Sequence, residues 1–466
     1  MGFCYRLLPW IMAFIFFPFQ FVSSQPVYRL SDTADLRDMI GQMLMVGYGP
    51  GTQVPDTLYL DITERNLGGV ILMGYNVESP QSLRGLTEEL QLDAMIPLFI
   101  STDQEGGRVA RLNRNNGYED THTAEYLGNR NSSRATREQA AMMAGWLKDG
   151  GVNVNLAPVV DVNVNPSSPA IGNLNRSFSS DPAMVTKHAG LFIEEFDEAG
   201  ILTALKHFPG HGSAERDSHL GFTDITNTWI EEELEPYEEL INRGYRGMIM
   251  PGHLYHEVFD SLHPATLSEN TLRGKLRDEL GFEGVIISDG MFMRAIQDHY
   301  GFFESVKLAI NAGIDILLYT GNMHDGRSLV RQIIDFVEKE VNEGRIDYGT
   351  IASSYDRIIR MKQEWIPTSV EPLAEAPDTP DRFGLRNYPN PFNPSTNIRF
   401  DLPARQHATL TVYDLQGRRV QVLANETLSA GPHQYRFDAG SLTSGVYLCV
   451  LETGGVRTME KMLLIR

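Results

Sequence analysis

Apolar runs alternate with helical patterns along residues 29–365 of the chain. Eight runs have the length and continuous hydrophobicity of buried strands, at residues 43–46, 69–73, 97–102, 152–156, 201–206, 247–250, 284–289 and 315–319. Each is followed by a loop and a segment with helical periodicity, most clearly at residues 81–92, 136–148, 182–199, 230–243 and 328–343. Strands that are apolar throughout and alternate with helices are typical of a parallel sheet. Eight such units predict an α/β fold with a (β/α)8 TIM-type barrel.

The pattern changes after residue 365. Residues 366–385 hold several prolines and acidic residues without a period, which is typical of an extended linker. Beyond this segment lie short, mostly alternating runs at residues 397–402, 408–413, 420–423, 433–437, 446–451 and 461–465. Turn dipeptides such as Ala430-Gly431 separate some of these runs. They predict a small all-β, immunoglobulin-like sandwich over residues 386–466.

The N-terminal segment, residues 1–24, has the features of a signal peptide. Arg6 precedes an apolar stretch over residues 7–22, and the small residues Ser23 and Ser24 follow it. We expect cleavage after Ser24, which leaves residues 25–365 as the barrel domain. An uncleaved membrane anchor is the alternative, but the apolar stretch is short and contains Pro18, which disfavours a spanning helix.

Composition narrows the classes of protein to consider. The chain has 466 residues and a formal net charge of −20, with 60 acidic against 40 basic residues. It is too long for one ordinary domain, and 42% hydrophobic residues suffice for a large soluble core. The acidic balance argues against a nucleic-acid partner, which would require a basic face. Cys4 leaves with the signal peptide, and Cys449 lies in an apolar run where we expect a buried packing residue.

Polar side chains follow several of the predicted strands at the point where each strand ends. These residues are Asp103, Arg111, Lys206, His207, His253 and Asp289. Because the carboxyl ends of parallel strands meet at one mouth of a barrel, we expect these side chains to form one site. A cap of the following helix would explain Asp289 alone equally well, but it does not explain several strand ends together.

The triplet Asp217-Ser218-His219 has a chemical logic of its own. An aspartate that accepts a hydrogen bond from one imidazole nitrogen fixes the tautomer and stabilises the protonated ring. The other nitrogen then transfers protons near neutral pH. Asp289, fixed at a strand end, is suited to be a carboxylate nucleophile. Donors suited to sugar hydroxyls or an acyl group are Arg111, Arg176, Lys206 and His207.

Four motifs together resemble a known family. They are KHFPGHG at residues 206–212, DSH at residues 217–219, DQEGGRV at residues 103–109 and ISDG at residues 287–290. This combination resembles glycoside hydrolase family 3, and within it the NagZ-like β-N-acetylglucosaminidases (β-N-acetylhexosaminidases). The resemblance covers residues 30–365 and implies a (β/α)8 barrel that catalyses a retaining double displacement.

The resemblance assigns roles position by position. Asp289 matches the family's nucleophile, and His219 matches its acid/base residue, with Asp217 as its partner. The positions that match substrate-binding residues are Asp103, Arg111, Arg176, Lys206 and His207. The family resemblance implies an exo-acting enzyme that hydrolyses terminal β-linked N-acetylglucosamine and that uses no cofactor and no metal. The expected substrates are amino-sugar glycosides, including fragments of peptidoglycan or chitin.

Three alternatives to this function are open at this point. A β-glucosidase of the same family is disfavoured by the DSH triplet, since those enzymes take their acid/base residue from an added domain. A metal-dependent barrel hydrolase could use His207, His211, His219, His253 and Asp289. It is disfavoured because Lys206 beside this cluster would repel a dication, and because no histidine precedes His122. A catalytically inactive sugar-binding barrel is disfavoured because Asp289 and His219 are both present.

The C-terminal module carries a second resemblance. Residues 387–396, Gln416-Gly417-Arg418 and Ser444-Gly445-Val446-Tyr447 resemble the type A C-terminal sorting domain of the type IX secretion system. This implies that the secretion machinery is a partner and that the enzyme is secreted or held at the cell surface after passing the outer membrane. A carbohydrate-binding sandwich is the alternative, but the aromatic residues of this module mostly fall at core positions of its predicted strands.

Overall fold

The computed structural model describes residues 34–366 and 383–465, except residues 384, 391, 415–417, 441 and 454–455. The predicted signal peptide and nearly all of the predicted linker lie outside these residues. The chain divides into two compact units, Met1–Ser369 and Val370–Arg466. Among the described residues, no helix has the length and apolar composition that crossing a bilayer requires.

The first unit is built on a parallel, TIM-like sheet. Its strands are β1 (Leu44–Val46), β2 (Gly69–Ile71), β3 (Phe99–Thr102), β4 (Val154–Asn155), β5 (Leu202–Phe208), β6 (Met248–Pro251), β7 (Val285–Ile286) and β8 (Leu317–Tyr319). They are ordered β7-β6-β5-β4-β3-β2-β1-β8. A parallel bridge between Ile287 and Ile316 connects the chain just beyond β7 to the chain just before β8. Each of the eight predicted apolar runs overlaps one strand, so the prediction of a parallel sheet is confirmed.

Helices alternate with these strands. The α-helices are α1 (Leu36–Gln42), α2 (Asp56–Arg65), α3 (Pro80–Leu92), α4 (Ala124–Arg130), α5 (Ser133–Asp149), α6 (Pro182–Ala199), α7 (Glu235–Asn242), α8 (Arg294–Tyr300), α9 (Phe302–Ala312), α10 (Leu329–Asn342) and α11 (Tyr348–Trp365). A π-helix spans Asn270–Glu279, and 3-10 turns span Gly74–Asn76, Arg114–Asn116, Gly172–Leu174, Glu231–Glu233 and Ala265–Leu267.

Helix α10 shows how the sequence determines these elements. Its N-cap Ser328 accepts a hydrogen bond from the Arg331 N–H through its hydroxyl oxygen. Leu329, Ile333 and Val337 recur every four residues and are all buried, so one face of the helix packs into the core.

The predicted helix over residues 230–243 is wrong in its continuity. The structure divides this segment into a 3-10 turn, Glu231–Glu233, and helix α7. Pro236 is the reason, because it lies in the first turn of α7 and has no N–H to donate to a preceding carbonyl.

The second unit contains two antiparallel sheets. One has three strands in the order β9-β10-β13, namely Arg386–Tyr388, Ser395–Leu402 and Gly431–Asp438. The other has four strands in the order β12-β11-β14-β15, namely Arg419–Leu428, Gln406–Asp414, Gly445–Thr453 and Val456–Leu464. The six predicted runs overlap six of these strands, whereas β9 is not predicted. Cys449 is buried, as its apolar run predicts, and Phe400 and Phe437 lie in the same core.

Candidate active site

One cavity collects all eight residues predicted for the site. It has a volume of about 600 Å³, and its lining includes Asp103, Arg111, Arg176, Lys206, His207, Asp217, His219 and Asp289. The strands explain this convergence, because Asp103, Lys206 and Asp289 lie at or just beyond the carboxyl ends of β3, β5 and β7. Apolar side chains including Ile71, Leu156 and Met250 complete the lining.

Two consecutive residues of β5, Lys206 and His207, both line the cavity. A regular strand would direct them to opposite faces of the sheet. The register between β5 and β6 shifts between Lys206 and Phe208, which breaks the alternation at this point. The strand end therefore supplies two polar groups to one site.

Lys206 is the centre of a charged network on the floor of the cavity. Its side chain is 3% exposed, and its Nζ lies 2.8 Å from Asp103 Oδ1 and 2.7 Å from Glu105 Oε1. Burial alone would lower the pKa of the lysine, but the two carboxylates outweigh burial and raise it. Lys206 is therefore a charged hydrogen-bond donor at neutral pH.

Two arginines complete this network. Arg176 forms a bidentate pair with Glu105 at 2.8 and 2.7 Å, and Arg111 lies 3.0 Å from Asp103. Burial favours the neutral carboxyls, but the neighbouring cations hold the pKa of Asp103 far below its usual range and lower the pKa of Glu105 to about 2. Three cations thus face two carboxylates in this network, and the cations present N–H groups to the cavity.

His207 is held by a buried aspartate. Its Nδ1 lies 2.8 Å from Asp161 Oδ2, while Asp161 Oδ1 accepts the backbone N–H groups of His207 at 3.0 Å and His211 at 2.8 Å. Burial opposes ionisation of Asp161, but His207 and these hydrogen bonds lower its pKa. The carboxylate therefore fixes the proton on Nδ1 and leaves Nε2 as the free ring nitrogen, 3.5 Å from an Arg176 nitrogen.

Asp289 lies just beyond β7 as an ionised carboxylate. Its Oδ1 accepts the Gly290 N–H at 2.7 Å. Burial raises the pKa of Asp289, but electrostatic interaction with the His253, His207 and His219 rings and the bond from Gly290 lower it to about 2. Helix α8 begins later, with Met293 as its N-cap. Asp289 is thus not the cap of that helix.

His253 supports the turn that carries Asp289. It is buried, its Nε2 lies 3.1 Å from the Gly290 carbonyl and its Nδ1 lies 2.9 Å from Thr266 Oγ1. Burial is the main reason that its pKa is lowered, so the ring is neutral at pH 7. Because a carbonyl only accepts, the single ring proton is on Nε2 and holds Gly290 in place.

Asp217 and His219 form a dyad in the loop after β5. Asp217 Oδ1 lies 2.8 Å from His219 Nδ1 and also accepts the His219 backbone N–H at 2.9 Å. Burial opposes ionisation of Asp217, but these two bonds lower its pKa. The side chain of His219 is 57% exposed, and its Nε2 is left for proton transfer.

The histidines named in the metal alternative contact protein groups. Among the residues that the structure describes, no group of three His, Cys, Asp or Glu side chains is arranged to hold a metal ion. Ring nitrogens of His207, His211, His219 and His253 lie instead within hydrogen-bond distance of protein groups. Lys206 also occupies the centre of the site with its positive charge.

Comparison with known proteins places the chain in a family. Residues 35–361 match the N-terminal domain of glycosyl hydrolase family 3. The chain belongs to glycoside hydrolase family 3. Residues 386–465 match a secretion system C-terminal sorting domain.

Two family 3 relatives show the extent of the similarity. Beta-hexosaminidase A of Pseudoalteromonas piscicida is 33% identical over 357 residues, which cover 70% of this chain and 58% of the relative. Beta-hexosaminidase LpqI of Mycobacterium tuberculosis is 32% identical over 334 residues, which cover 70% of this chain and 82% of the relative.

A solved family 3 structure shows the same fold. The β-N-acetylglucosaminidase of Paenibacillus sp. str. FPU-7 superposes with a TM-score of 0.67 at 33% identity. The superposition covers 74% of this chain and 64% of that protein. It agrees with the parallel, TIM-like sheet that positions the site.

Two residues of this site, Glu105 and Asp161, are absent from the site residues predicted from the sequence. Glu105 could have been found, because it follows Asp103 by two residues within the DQEGGRV motif. Asp161 interrupts the apolar run 159–162, which is a weaker signal of a paired buried charge. His253 was noted at its strand end, but its contact with Gly290 depends on the tertiary fold.

Proposed function

We propose that the chain is a retaining, exo-acting glycosidase that removes terminal β-linked N-acetylglucosamine. One observation carries this proposal: the ionised carboxylate of Asp289 and the Asp217–His219 dyad line the same cavity, above a charged floor. This arrangement supplies a nucleophile, a proton donor and donors for sugar hydroxyls in one place.

In the first step, a carboxylate oxygen of Asp289 attacks the anomeric carbon and forms an ester bond with it. The bond from the anomeric carbon to the glycosidic oxygen breaks, and His219 gives its Nε2 proton to that oxygen. The leaving sugar or alcohol departs neutral, and His219 becomes a neutral imidazole. Asp217 stabilises the protonated ring before this transfer, since its Oδ1 lies 2.8 Å from Nδ1.

In the second step, the neutral His219 takes a proton from water, and the water oxygen attacks the anomeric carbon. The ester bond breaks and its electron pair returns to Asp289. Two inversions at one carbon leave the product with the configuration of the substrate. A histidine thus performs the proton transfers that a second carboxylate performs in most retaining glycosidases.

The floor residues bind the sugar in this proposal. Lys206, Arg176 and Arg111 donate N–H groups into the cavity, and Asp103 is held ionised to accept sugar hydroxyls. His207 offers Nε2, because Asp161 holds Nδ1. A cavity of about 600 Å³ is of the size that binds small molecules, which supports removal of one terminal sugar at a time.

A panel of aryl β-glycosides tests the substrate class. We expect the N-acetylglucosaminide to be hydrolysed at least about tenfold faster, in kcat/KM, than the glucoside. We also expect proton NMR of early product to show the β-anomer. A faster glucoside would favour the β-glucosidase alternative within the family, and initial formation of the α-anomer would contradict the double displacement.

The fold and location complete the proposal. The bridge between Ile287 and Ile316 supports closure of the parallel sheet into a (β/α)8 barrel over residues 25–365. The two antiparallel sheets support an immunoglobulin-like sandwich over residues 386–466. The matched sorting domain supports export by type IX secretion machinery. The proposal includes a signal peptide over residues 1–24 and use of amino-sugar glycosides, such as peptidoglycan or chitin fragments, outside the cell.

Deletion of residues 386–466 tests the export route in a host with this secretion system. We expect the full chain to reach the cell surface or medium and the shortened chain to stay in the periplasm. Equal release of both forms would contradict the role of the C-terminal module.

A further inference from the structure

Two residues of the sequence motifs have no part in the proposed chemistry. Ser218 stands between Asp217 and His219, and His211 is the second histidine of the segment 206–212. His211 Nε2 lies 3.1 Å from Ser218 Oγ, and both side chains are buried. This contact joins the loop that carries the dyad to the interior of the first unit.

Burial along the loop singles out Ser218. Residues 215–222 are all described, and Ser218 is the only buried residue among them, at 1% exposure. His219, which follows it, has a side chain that is 57% exposed, and Leu220 is 71% exposed. The loop therefore enters the interior at one residue, and that residue separates the two members of the dyad.

The other partner, His211, stands on a turn that is held by buried hydrogen bonds. Its backbone N–H donates to Asp161 Oδ1 at 2.8 Å, and this carboxylate also holds the ring of His207. The next residue, Gly212, donates its N–H to Glu233 Oε2 at 2.9 Å. A Cβ at Gly212 would lie 1.6 Å from the Val162 carbonyl oxygen, so the turn packs closely against the chain at Val162.

The direction of the hydrogen bond follows from the state of the ring. Burial, together with electrostatic interaction with the His207 ring, lowers the pKa of His211 to about 4, so the imidazole is neutral at pH 7 and carries one N–H. Its Nδ1 is buried without a hydrogen-bond partner among the described residues. A proton on Nδ1 would be an unpaired buried donor, so the proton is on Nε2 and is donated to Ser218 Oγ.

We propose that Ser218 and His211 are positioning residues, whose hydrogen bond holds the Asp217–His219 dyad over the cavity in the orientation needed for proton transfer. The proposal rests on the proposed function, in which His219 is the acid/base residue. A displacement of about 1 Å in a reacting group reduces the rate by roughly 10²-fold, so one lost bond at this point is sufficient to impair the proton transfer.

The Ser218→Ala variant tests the role of the Ser218–His211 pair, because the loss of kcat/KM should depend on the leaving group of the substrate. An alkyl β-N-acetylglucosaminide needs a proton on its leaving oxygen, whereas a dinitrophenyl glycoside departs without one. We expect kcat/KM for the alkyl glycoside to fall about 10- to 100-fold and kcat/KM for the dinitrophenyl glycoside to stay within about threefold of wild type. An unchanged variant, or an equal loss on both substrates, overturns the proposal.

Conservative variants and a matched control separate positioning from general destabilisation. Ser218→Thr keeps the hydroxyl and His211→Gln keeps an N–H donor, so both should recover alkyl-glycoside activity relative to Ser218→Ala and His211→Ala. Ser305→Ala removes another buried hydroxyl, which bonds to the Phe302 carbonyl at 2.8 Å in α9. It should show no leaving-group effect. Failure of both conservative variants to recover activity would contradict the role of the bond.

The His219→Ala variant, measured in parallel, distinguishes the two levels of the proposal. If His219→Ala shows no leaving-group dependence, the proposed function itself fails. If it shows this dependence and Ser218→Ala does not, the acid/base role stands and the positioning pair alone fails.

Discussion

The floor of the cavity and the loop above it are built in opposite ways. On the floor, Lys206 is 3% exposed and touches two carboxylates, and each of these carboxylates binds an arginine as well. In the loop, His219 is 57% exposed and its ring has one polar contact, with Asp217. Each region suits a different task, since a preorganised floor can hold one sugar in one pose while an exposed imidazole can exchange protons with solvent.

The contrast predicts two separable classes of variant. Changes on the floor should affect both stability and substrate binding, because they leave buried charges without partners. Changes in the loop should affect proton transfer alone. Asp289 lies between these classes, because it is fixed at a strand end yet takes part in bond formation.

The largest expected effect is that of Asp289→Asn. Removal of the nucleophile should lower kcat by at least about 10⁴-fold on an aryl β-N-acetylglucosaminide, with little change in thermal stability. Steady-state assays and a melting curve measure both effects. Asp298→Asn is the matched control, because Asp298 pairs with exposed Arg294 in the neighbouring helix α8 and should leave kcat unchanged. Wild-type turnover by Asp289→Asn would remove this residue from the mechanism.

The second-largest expected loss of activity is that of His219→Ala. General acid catalysis contributes roughly 10²- to 10⁴-fold, so kcat/KM should fall by this amount for alkyl glycosides and much less for dinitrophenyl glycosides. Its melting temperature should stay within error of wild type, because the side chain is largely exposed. A large loss of stability would show that the loop is not the separate, exposed region described above.

Arg176→Ala should combine both kinds of effect. It leaves Glu105 in contact with Lys206 alone, so we expect a loss of about 3 kcal/mol in the free energy of unfolding, together with a higher KM. Urea titration and substrate titration measure the two quantities. Arg137→Ala breaks ion pairs of a more exposed arginine with Glu194 and Glu195 and should cost far less. Equal costs for the two variants would contradict the tightly coupled floor.

The smallest effect concerns Glu233, which holds the turn between floor and loop. Burial raises its pKa to about 8, whereas the unfolded chain has the ordinary value, so unfolding releases a proton between these values. Its contribution to stability is complete below the unfolded pKa and is lost as pH rises through about 8. Glu233→Gln should therefore lose less stability than wild type between pH 5 and pH 8, by about 1 to 3 kcal/mol. If the stability of both proteins depends on pH in the same way, Glu233 is not protonated in the folded protein below pH 8, and this prediction fails.

The strand-end residues were predictable because two simple rules act on them. Apolar runs located β3, β5 and β7, and parallel topology brought Asp103, Lys206 and Asp289 to one mouth. These rules say nothing about contacts between side chains. The pairing of His207 with Asp161 and of His253 with Gly290 depends on loops whose paths are set by tertiary packing. The sequence motifs named the reactive groups, whereas the groups that orient them required the structure.

Predictions from hydrophobic periodicity also failed where the backbone departs locally from a regular helix or strand. Pro236 interrupted a predicted continuous helix, and the register shift beside Lys206 placed two consecutive residues in one cavity. Hydrophobic periodicity averages over several residues and does not detect such breaks. The roles of the predicted site residues stay predictions, although the structure brings all eight of them together.

Covalent trapping tests the central claim most directly. A 5-fluoro-N-acetylglucosaminyl substrate with a good leaving group slows hydrolysis of the ester, and peptide mass spectrometry then locates the attached sugar. The account predicts a stoichiometric label on Asp289, with no label in Asp289→Asn. A label on Asp103, Glu105 or another residue, or full turnover without a label and with an α-anomer as first product, would contradict it.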